Sequence, residues 1–148
     1  MERRKQQIEI RSAKFEDLEI LCQIYSEAFS ETAPMPKHWW KIIEDPNIHY
    51  KVALSDGKIV GVATLITINK ILRSGSRVGT IEDVAVSSEA RGLGLGKLLI
   101  EDLLSLGEEL GCYKVILNCS DDNVKFYEKC GMYRAENQMR WDRSKKQK

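Results

Sequence analysis

The sequence lacks an excess of charge of either sign. Its 148 residues include 23 lysines and arginines against 22 aspartates and glutamates, which leaves a formal net charge of +1. A protein that wraps nucleic acid or coats an acidic membrane needs a broad positive surface to neutralise phosphates. We therefore expect neither nucleic acid nor a membrane as a partner. A charged ligand would have to be recognised by a local group of side chains.

Long hydrophobic runs are also missing. The longest, over residues 59–71, is interrupted by threonines, Asn69 and Lys70. It falls short of the roughly 20 residues that a membrane-spanning helix requires. The charged N-terminal residues are not followed by an apolar block, so we expect no secretory signal. The expected location is the cytoplasm.

Histidine is scarce, and the cysteines form no motif. The only histidines are His38 and His49, and they do not lie at metal-ligand spacing from each other or from a cysteine. No C-x-x-C pair is present, so we expect free thiols and no metal site. The four cysteines are Cys22, Cys112, Cys119 and Cys130.

The hydrophobic pattern predicts one α+β domain over residues 1–148, with flexible ends at 1–6 and 144–148. Turn signals occur at Ser55-Asp56-Gly57 and at Gly75, and Gly111 is suited to end a helix. Apolar residues at a spacing of three and four predict helices over 14–29, around 39–43, over 95–111 and over 123–129, with a loop at 30–36. Alternation and short apolar runs predict strands over 7–11, 48–54, 58–72, 77–86, 113–118 and 131–141.

Residues 81–97 carry the most informative pattern, a strand that runs through a glycine-rich turn into a long helix. Gly92, Gly94 and Gly96 stand at every second position. This spacing lets consecutive backbone N–H groups turn toward one point, and the helix N-terminus adds partial positive charge. The segment therefore predicts a phosphate site, although glycines here can also serve turn geometry alone.

Two common phosphate loops do not fit this segment. A Walker A motif would need glycine in place of Arg91 and serine or threonine in place of Leu98. A dinucleotide fingerprint would need glycine in place of Lys97 or Leu99. The segment therefore belongs to another kind of phosphate loop.

The glycine-rich segment, directly after a strand that ends in Val-Ala-Val, resembles the coenzyme A loop of the GNAT superfamily of N-acetyltransferases. The element order is also similar to that fold, a mostly antiparallel sheet flanked by helices. In that superfamily the loop amides bind the pyrophosphate of acetyl-CoA, and the preceding strand pairs with its pantetheine arm. The resemblance implies coenzyme contacts from Val84, Ala85, Val86, Arg91, Gly92, Leu93, Gly94, Leu95, Gly96, Lys97, Asn123 and Tyr127.

Within that superfamily, four blocks in register resemble the glucosamine-6-phosphate N-acetyltransferases. They are IEDVAV at 81–86, LGKLLI at 95–100, GCYK at 111–114 and NVKFYEKCG at 123–131. The similarity covers residues 58–139, with a weaker match over 8–32. It implies acetyl transfer to the 2-amino group of glucosamine 6-phosphate, on the route to UDP-N-acetylglucosamine. It also implies a homodimer with shared active sites.

The adjacent acids Glu82 and Asp83 stand in an otherwise apolar strand, where alternation predicts that their side chains leave opposite faces. On the pattern alone they are either used in a cleft or interface, or solvated on an edge strand. The resemblance assigns both to sugar recognition, with deprotonation of the amine through a water or a backbone carbonyl. Asn118 stands where relatives often have an acid, so it remains an open candidate for that step.

Tyr127 matches the family tyrosine that contacts the coenzyme sulfur and donates to the leaving thiolate. A phenol with a pKa of about 10 is protonated at neutral pH and can make that bond. On sequence alone, Phe126 and Tyr127 would instead be core residues of a short helix. A backbone N–H near Val84 is the implied donor to the thioester carbonyl.

A sugar phosphate also requires cations. Relatives carry an arginine three residues after Met139 that completes the partner subunit's phosphate site, but here that position is Asp142, between Arg140 and Arg143. We favour Arg143 for this role. The implied substrate contacts are Ser30, Lys70, Arg73, Glu82, Asp83, Tyr113, Lys114 and Arg143.

Two alternative functions remain. One is a GNAT enzyme that acts on a polyamine or a peptide N-terminus, and the other is a non-catalytic coenzyme A-binding regulatory module.

Overall fold

The computed structural model describes residues 4–30 and 36–144. The chain divides into two compact units, residues 1–117 and residues 118–148. The expectation of a single domain and of flexible ends stays a prediction. Most of the loop expected at 30–36 lies outside the described residues.

The first unit is built on a five-stranded sheet in the order β1-β2-β3-β4-β5. β1 to β4 pair antiparallel in succession, and β5 pairs parallel with β4. The mostly antiparallel sheet is therefore confirmed. The strands are β1 (Ile8–Ser12), β2 (Ile48–Ser55), β3 (Lys58–Asn69), β4 (Arg77–Val86) and β5 (Cys112–Ile116).

Helices cover both faces of this sheet because β3 and β4 are apolar on both. On one face, α1 (Leu18–Phe29) buries Leu21 and Ile24 against Val52, Val62 and Ala85. A short α2 (Trp39–Ile43) adds its first tryptophan to the same core. On the other face, α3 (Leu95–Glu109) buries one apolar stripe, made of Leu95, Leu99, Ile100, Leu103 and Gly107.

The chain turns where the sequence predicts it. Asp56 and Gly57 have φ values of +48° and +82°, which suit the two central positions of a type I′ hairpin turn between β2 and β3. Gly111 follows α3 with a φ of +79°, the left-handed conformation that ends many helices. Before α1, the Asp17 carboxylate accepts the Lys14 N–H at 2.7 Å, and this bond closes a 3₁₀ turn over Phe15–Asp17.

The strand expected over 131–141 is wrong, because the described residues 130–144 contain no strand. The apolar residues of that segment alternate as in a strand, but Tyr133, Met139 and Trp141 are 84%, 90% and 85% exposed. A strand exists only through pairing, and alternation does not supply a partner. Other boundaries shift by a few residues. β3 ends at Asn69 and is followed by a turn at Leu72–Gly75, in which Arg73 and Ser74 have φ values of +54° and +57°. β5 ends at Ile116.

Gly107 leaves no free space for a Cβ atom, because α3 lies very close to β5 there. A Cβ at Gly107 would lie 2.7 Å from Val115 Cγ2. We expect Gly107→Ala to lower the free energy of unfolding by about 1–2 kcal/mol in urea titrations, since overpacking outweighs the better helix propensity of alanine.

The test is a double-mutant cycle with Val115→Ala, which removes the clashing methyl group. In that background Gly107→Ala should become neutral or stabilising. Ser105→Ala, at an exposed position of the same helix, is the control and should change little. An equal loss in both backgrounds would contradict the steric explanation.

Candidate functional site

The two parallel strands of the sheet separate halfway along β4. β5 pairs with β4 over Arg77–Thr80, and β4 continues to Val86 with no β5 partner. A strand edge of this kind carries unpaired N–H and C=O groups. An extended ligand with amide groups can pair with them as an added strand would. Val84, Ala85 and Val86, the expected pantetheine contacts, all lie on this stretch.

A β-bulge interrupts β4 next to this edge. Val62 of β3 pairs with Ala85, and Thr64 pairs with Glu82, so β4 has one extra residue between them. Asp83 has a φ of +51° in the bulge. A bulge leaves its extra residue outside the ladder and re-aims the neighbouring side chains. It removes the regular alternation on which opposite faces were expected for Glu82 and Asp83.

Three hydroxyl groups lie on the α1 side of the sheet beside the bulge. They belong to Tyr25 of α1, Tyr50 of β2 and Thr64 of β3, the strand neighbour of both Tyr50 and Glu82. Tyr25 Oη and Thr64 Oγ1 are buried and have no hydrogen-bond partner among the described residues. Sequence reasoning missed this group, because the strand register that unites it is not visible in any local pattern.

Tyr25 and Tyr50 both remain neutral at physiological pH. Burial raises the pKa of Tyr25 and of Tyr50, and the charge of Asp83 raises both further. Glu82 Oε1 lies 3.4 Å from Thr80 Oγ1 on the same strand. The bulge therefore combines two exposed carboxylates with neutral phenols, a surface that can bind an amine and hydroxyl groups.

The glycine-rich turn has the geometry of an anion site. Gly92 and Gly94 have φ values of +83° and +76°, and no atom lies within 4 Å of a Cβ built on either. Gly94 occupies the N-cap of α3, where no side chain accepts the first helical N–H groups. Those donors are available to a phosphate at the positive end of the helix.

A cationic cluster lies at the end of the sheet where β4 and β5 begin, away from the bulge. The guanidinium of Arg73 lies 4.6 Å from the ring centre of Tyr113, and the ammonium of Lys114 lies 5.7 Å from it. The structure thus brings three of the expected substrate residues together. Lys70 is exposed just after β3, and Ser30 ends α1 with a φ of +51°.

In the second unit, the ring of Tyr127 lies on α4 (Val124–Lys129) and packs edge-on against Phe126 at 4.9 Å. Burial raises the pKa of Tyr127, and Cys119 and Cys130 raise it further. The phenol is therefore a proton donor across the physiological range. Asn123 occupies the N-cap position of α4, and Asn118 is the first residue of the unit.

The two C-terminal arginines differ in whether they form an ion pair. The guanidinium of Arg140 pairs with Asp142 at 2.7 Å, and Arg143 is exposed. Within the described ranges, no three or more His, Cys, Asp or Glu residues are grouped so that they could hold a metal ion. The helices of these ranges also include none that is long and apolar enough to cross a membrane.

Several known proteins resemble this chain in sequence. The chain is 51% identical over 86 residues to the glucosamine 6-phosphate N-acetyltransferase of Trypanosoma brucei brucei, and these residues make up 58% of each protein. It is 34% identical over 118 residues to the Candida albicans protein of that name, covering 78% of this chain and 77% of the relative. The matched stretch spans 52–58% of the first three curated relatives.

Solved structures agree with the fold. The crystal structure of glucosamine-6-phosphate N-acetyltransferase from Arabidopsis thaliana matches with a TM-score of 0.82 and 31% identity, over 92% of this chain and 98% of that one. A Trypanosoma brucei acetyltransferase matches with a TM-score of 0.83 and 37% identity, over 92% and 99%. Residues 16–132 match the acetyltransferase (GNAT) family profile. The chain therefore belongs to the acetyltransferase (GNAT) family.

Proposed function

We propose that this protein transfers the acetyl group of acetyl-CoA to the 2-amino group of glucosamine 6-phosphate. The products are N-acetylglucosamine 6-phosphate and CoA, and both substrates are bound together in a ternary complex. The observation that carries the proposal is β4, whose open edge and bulge lead directly into the glycine-rich turn. The names of the relatives that align over most of the chain supply the acceptor.

In this mechanism the chain mainly binds and orients. Glu82 and Asp83 hold the amino sugar, and the ammonium loses its proton to solvent, either through a bound water or while a backbone carbonyl orients the amine by accepting a hydrogen bond from it. The neutral nitrogen attacks the thioester carbon, and a backbone N–H at the bulge stabilises the oxyanion. The C–S bond then breaks, and Tyr127 donates a proton to the departing thiolate. The nitrogen releases its extra proton as the amide forms, and this proton restores the phenol of Tyr127. Good alignment of the two substrates can alone supply an effective molarity of about 10⁵ M.

The phosphate of the acceptor is assigned to the cluster of Arg73, Tyr113 and Lys114, with Lys70 close by in sequence. Six residues of β4, roughly 20 Å of strand, separate Arg77 at this end from Asp83 in the bulge, so the cluster would serve the amino-sugar site of a second chain. Two cations can neutralise most of the charge of a phosphate monoester. We also propose a homodimer in which Arg143 of each chain completes the site of the other. Its exposed guanidinium is available for this role, whereas Arg140 is paired with Asp142.

The remaining parts of the proposal concern the setting of the reaction. Acetyl-CoA is the only cosubstrate that the scheme requires, and no step needs a metal. None of the four cysteines is joined in a disulfide, which suits the reducing cytoplasm that we propose as the setting. We assign the product to UDP-N-acetylglucosamine biosynthesis.

The decisive experiment measures release of the CoA thiol from acetyl-CoA with four acceptors in parallel: glucosamine 6-phosphate, glucosamine, spermidine and a peptide with a free N-terminus. We expect kcat/KM for glucosamine 6-phosphate to exceed that for glucosamine by about 10²-fold, because each charge-assisted hydrogen bond to the phosphate contributes about 1.5–3 kcal/mol.

Each other outcome identifies a competing function. Preference for spermidine or the peptide would indicate a GNAT enzyme with another acceptor. Binding of CoA without acceleration by any amine would indicate a regulatory module. Either result would overturn the proposed acceptor.

A further inference from the structure

Three contacts hold the segment between β4 and the glycine-rich turn. The Ser87 N–H donates to the carbonyl of Val60 at 2.7 Å. The Ser88 N–H donates to the Glu27 carboxylate at 2.8 Å. The ammonium of Lys58 lies 2.6 Å from the carboxylate of Glu89. The start of the phosphate loop is therefore tied to β3 and to α1 as well as to its own strand.

The contact from α1 is unusual in its reach. Glu27 lies in the last turn of the helix and is 61 residues away from Ser88 in sequence. The hydrogen bond to Ser88 lowers the pKa of Glu27, and the charge of Arg91 lowers it slightly further. The carboxylate is thus ionised at neutral pH and makes a charge-assisted bond to the loop.

A negative charge at this place is unfavourable for the proposed ligand. Arg91 and the amides up to Gly96 are the expected pyrophosphate contacts, and a nearby carboxylate repels phosphate. If Glu27 acted only through its charge, it would weaken binding. A favourable contribution could come only from the geometry that its hydrogen bond imposes on the loop.

We propose that Glu27 is a positioning residue for the coenzyme pyrophosphate site. By accepting the Ser88 N–H, it fixes the 3₁₀ turn Ser88–Ala90 and thereby the orientation of the loop amides that follow. This inference rests on the acetyl-CoA part of the proposed function and is independent of the acceptor. It also connects the coenzyme loop to the helix that carries Tyr25 beside the bulge.

The test uses two variants that separate the hydrogen bond from the charge. Glu27→Gln keeps an acceptor oxygen without the charge, and Glu27→Ala removes both. Glu19→Ala is the control, because Glu19 is an exposed acid two turns earlier on α1. Calorimetry measures Kd for CoA and for pantetheine, which lacks the pyrophosphate, and steady-state kinetics measure KM and kcat.

We expect Glu27→Ala to raise the Kd for CoA about five- to tenfold, the usual effect of losing one such hydrogen bond. Glu27→Gln should stay within about twofold of the parent, because its amide oxygen can replace the carboxylate. Binding of pantetheine and kcat at saturating acetyl-CoA should not change in any variant. A general loss of structure would lower all of these together with the melting temperature.

Two results would overturn the inference. One is an unchanged Kd for CoA in Glu27→Ala, and the other is tighter binding in both Glu27 variants, which would show that charge repulsion dominates. A parent protein that binds no CoA would overturn the inference and the proposed function together. A parent that binds CoA but does not acetylate glucosamine 6-phosphate would overturn only the acceptor, and the ratio of Kd values would still decide the role of Glu27.

Discussion

Replacing Tyr127 with phenylalanine is expected to lower kcat about 100-fold, while KM for glucosamine 6-phosphate changes little. The hydroxyl group is lost, but the ring that packs against Phe126 at 4.9 Å remains. The thiolate of CoA then leaves without a proton donor. Because the pKa of Tyr127 is raised, the parent enzyme should keep its activity toward alkaline pH for as long as the phenol is protonated. Single-turnover kinetics report the chemical step directly.

Tyr133→Phe is the matched control for this substitution. Tyr133 belongs to the same unit and is 84% exposed, so removal of its hydroxyl should leave kcat unchanged. If Tyr127→Phe retained the single-turnover rate of the parent, the phenol would not be the proton donor. Binding of the thiolate by backbone groups would then have to replace it.

The second large effect is expected for Asp83→Asn. Its kcat/KM for glucosamine 6-phosphate should fall about 100-fold, because an amide replaces a carboxylate that binds an ammonium group. KM for acetyl-CoA should remain near the parent value. Asparagine tolerates the left-handed backbone of the bulge, where φ is +51°, so the substitution removes charge and preserves the fold.

The chain offers a control with the same residue in the same backbone conformation. Asp56, in the hairpin turn between β2 and β3, has a φ of +48°. Asp56→Asn makes an identical chemical change in the turn and should leave kcat/KM intact. Equal losses in the two variants would mean that the effect of Asp83→Asn comes from folding and not from the site.

How much the sequence could predict depends on how local each feature is. The hairpin turn at Asp56-Gly57, the helix end at Gly111 and the glycine-rich turn at Gly92 and Gly94 were all predictable, because each is specified by residues adjacent in sequence. The bulge at Asp83 was not. It is defined by the register of β4 against β3, and acids in a strand give no signal of a left-handed backbone.

The same distinction explains the error at the C-terminus. Tyr133, Met139 and Trp141 alternate with polar residues, and alternation over such a length usually indicates a half-buried strand. The side chains are exposed instead, so the alternating apolar residues do not pack against a hydrophobic core. The cluster of three hydroxyls from Tyr25, Tyr50 and Thr64 was missed because no local pattern connects them. Its members are distant in sequence, and each is ordinary in its own helix or strand.

The separation of β4 from β5 has a further consequence for the coenzyme-free protein. Beyond Thr80, β4 presents backbone groups that no strand of the sheet pairs, on a stretch that includes Ile81, Val84 and Val86. Edges of this type are templates for aggregation, and many proteins protect them with charged residues or bulges. Here the bulge at Asp83 and two adjacent acids serve as such protection. In the proposed complex, a pantetheine arm along β4 would complete this protection, and the coenzyme would then also guard the edge against association with another strand.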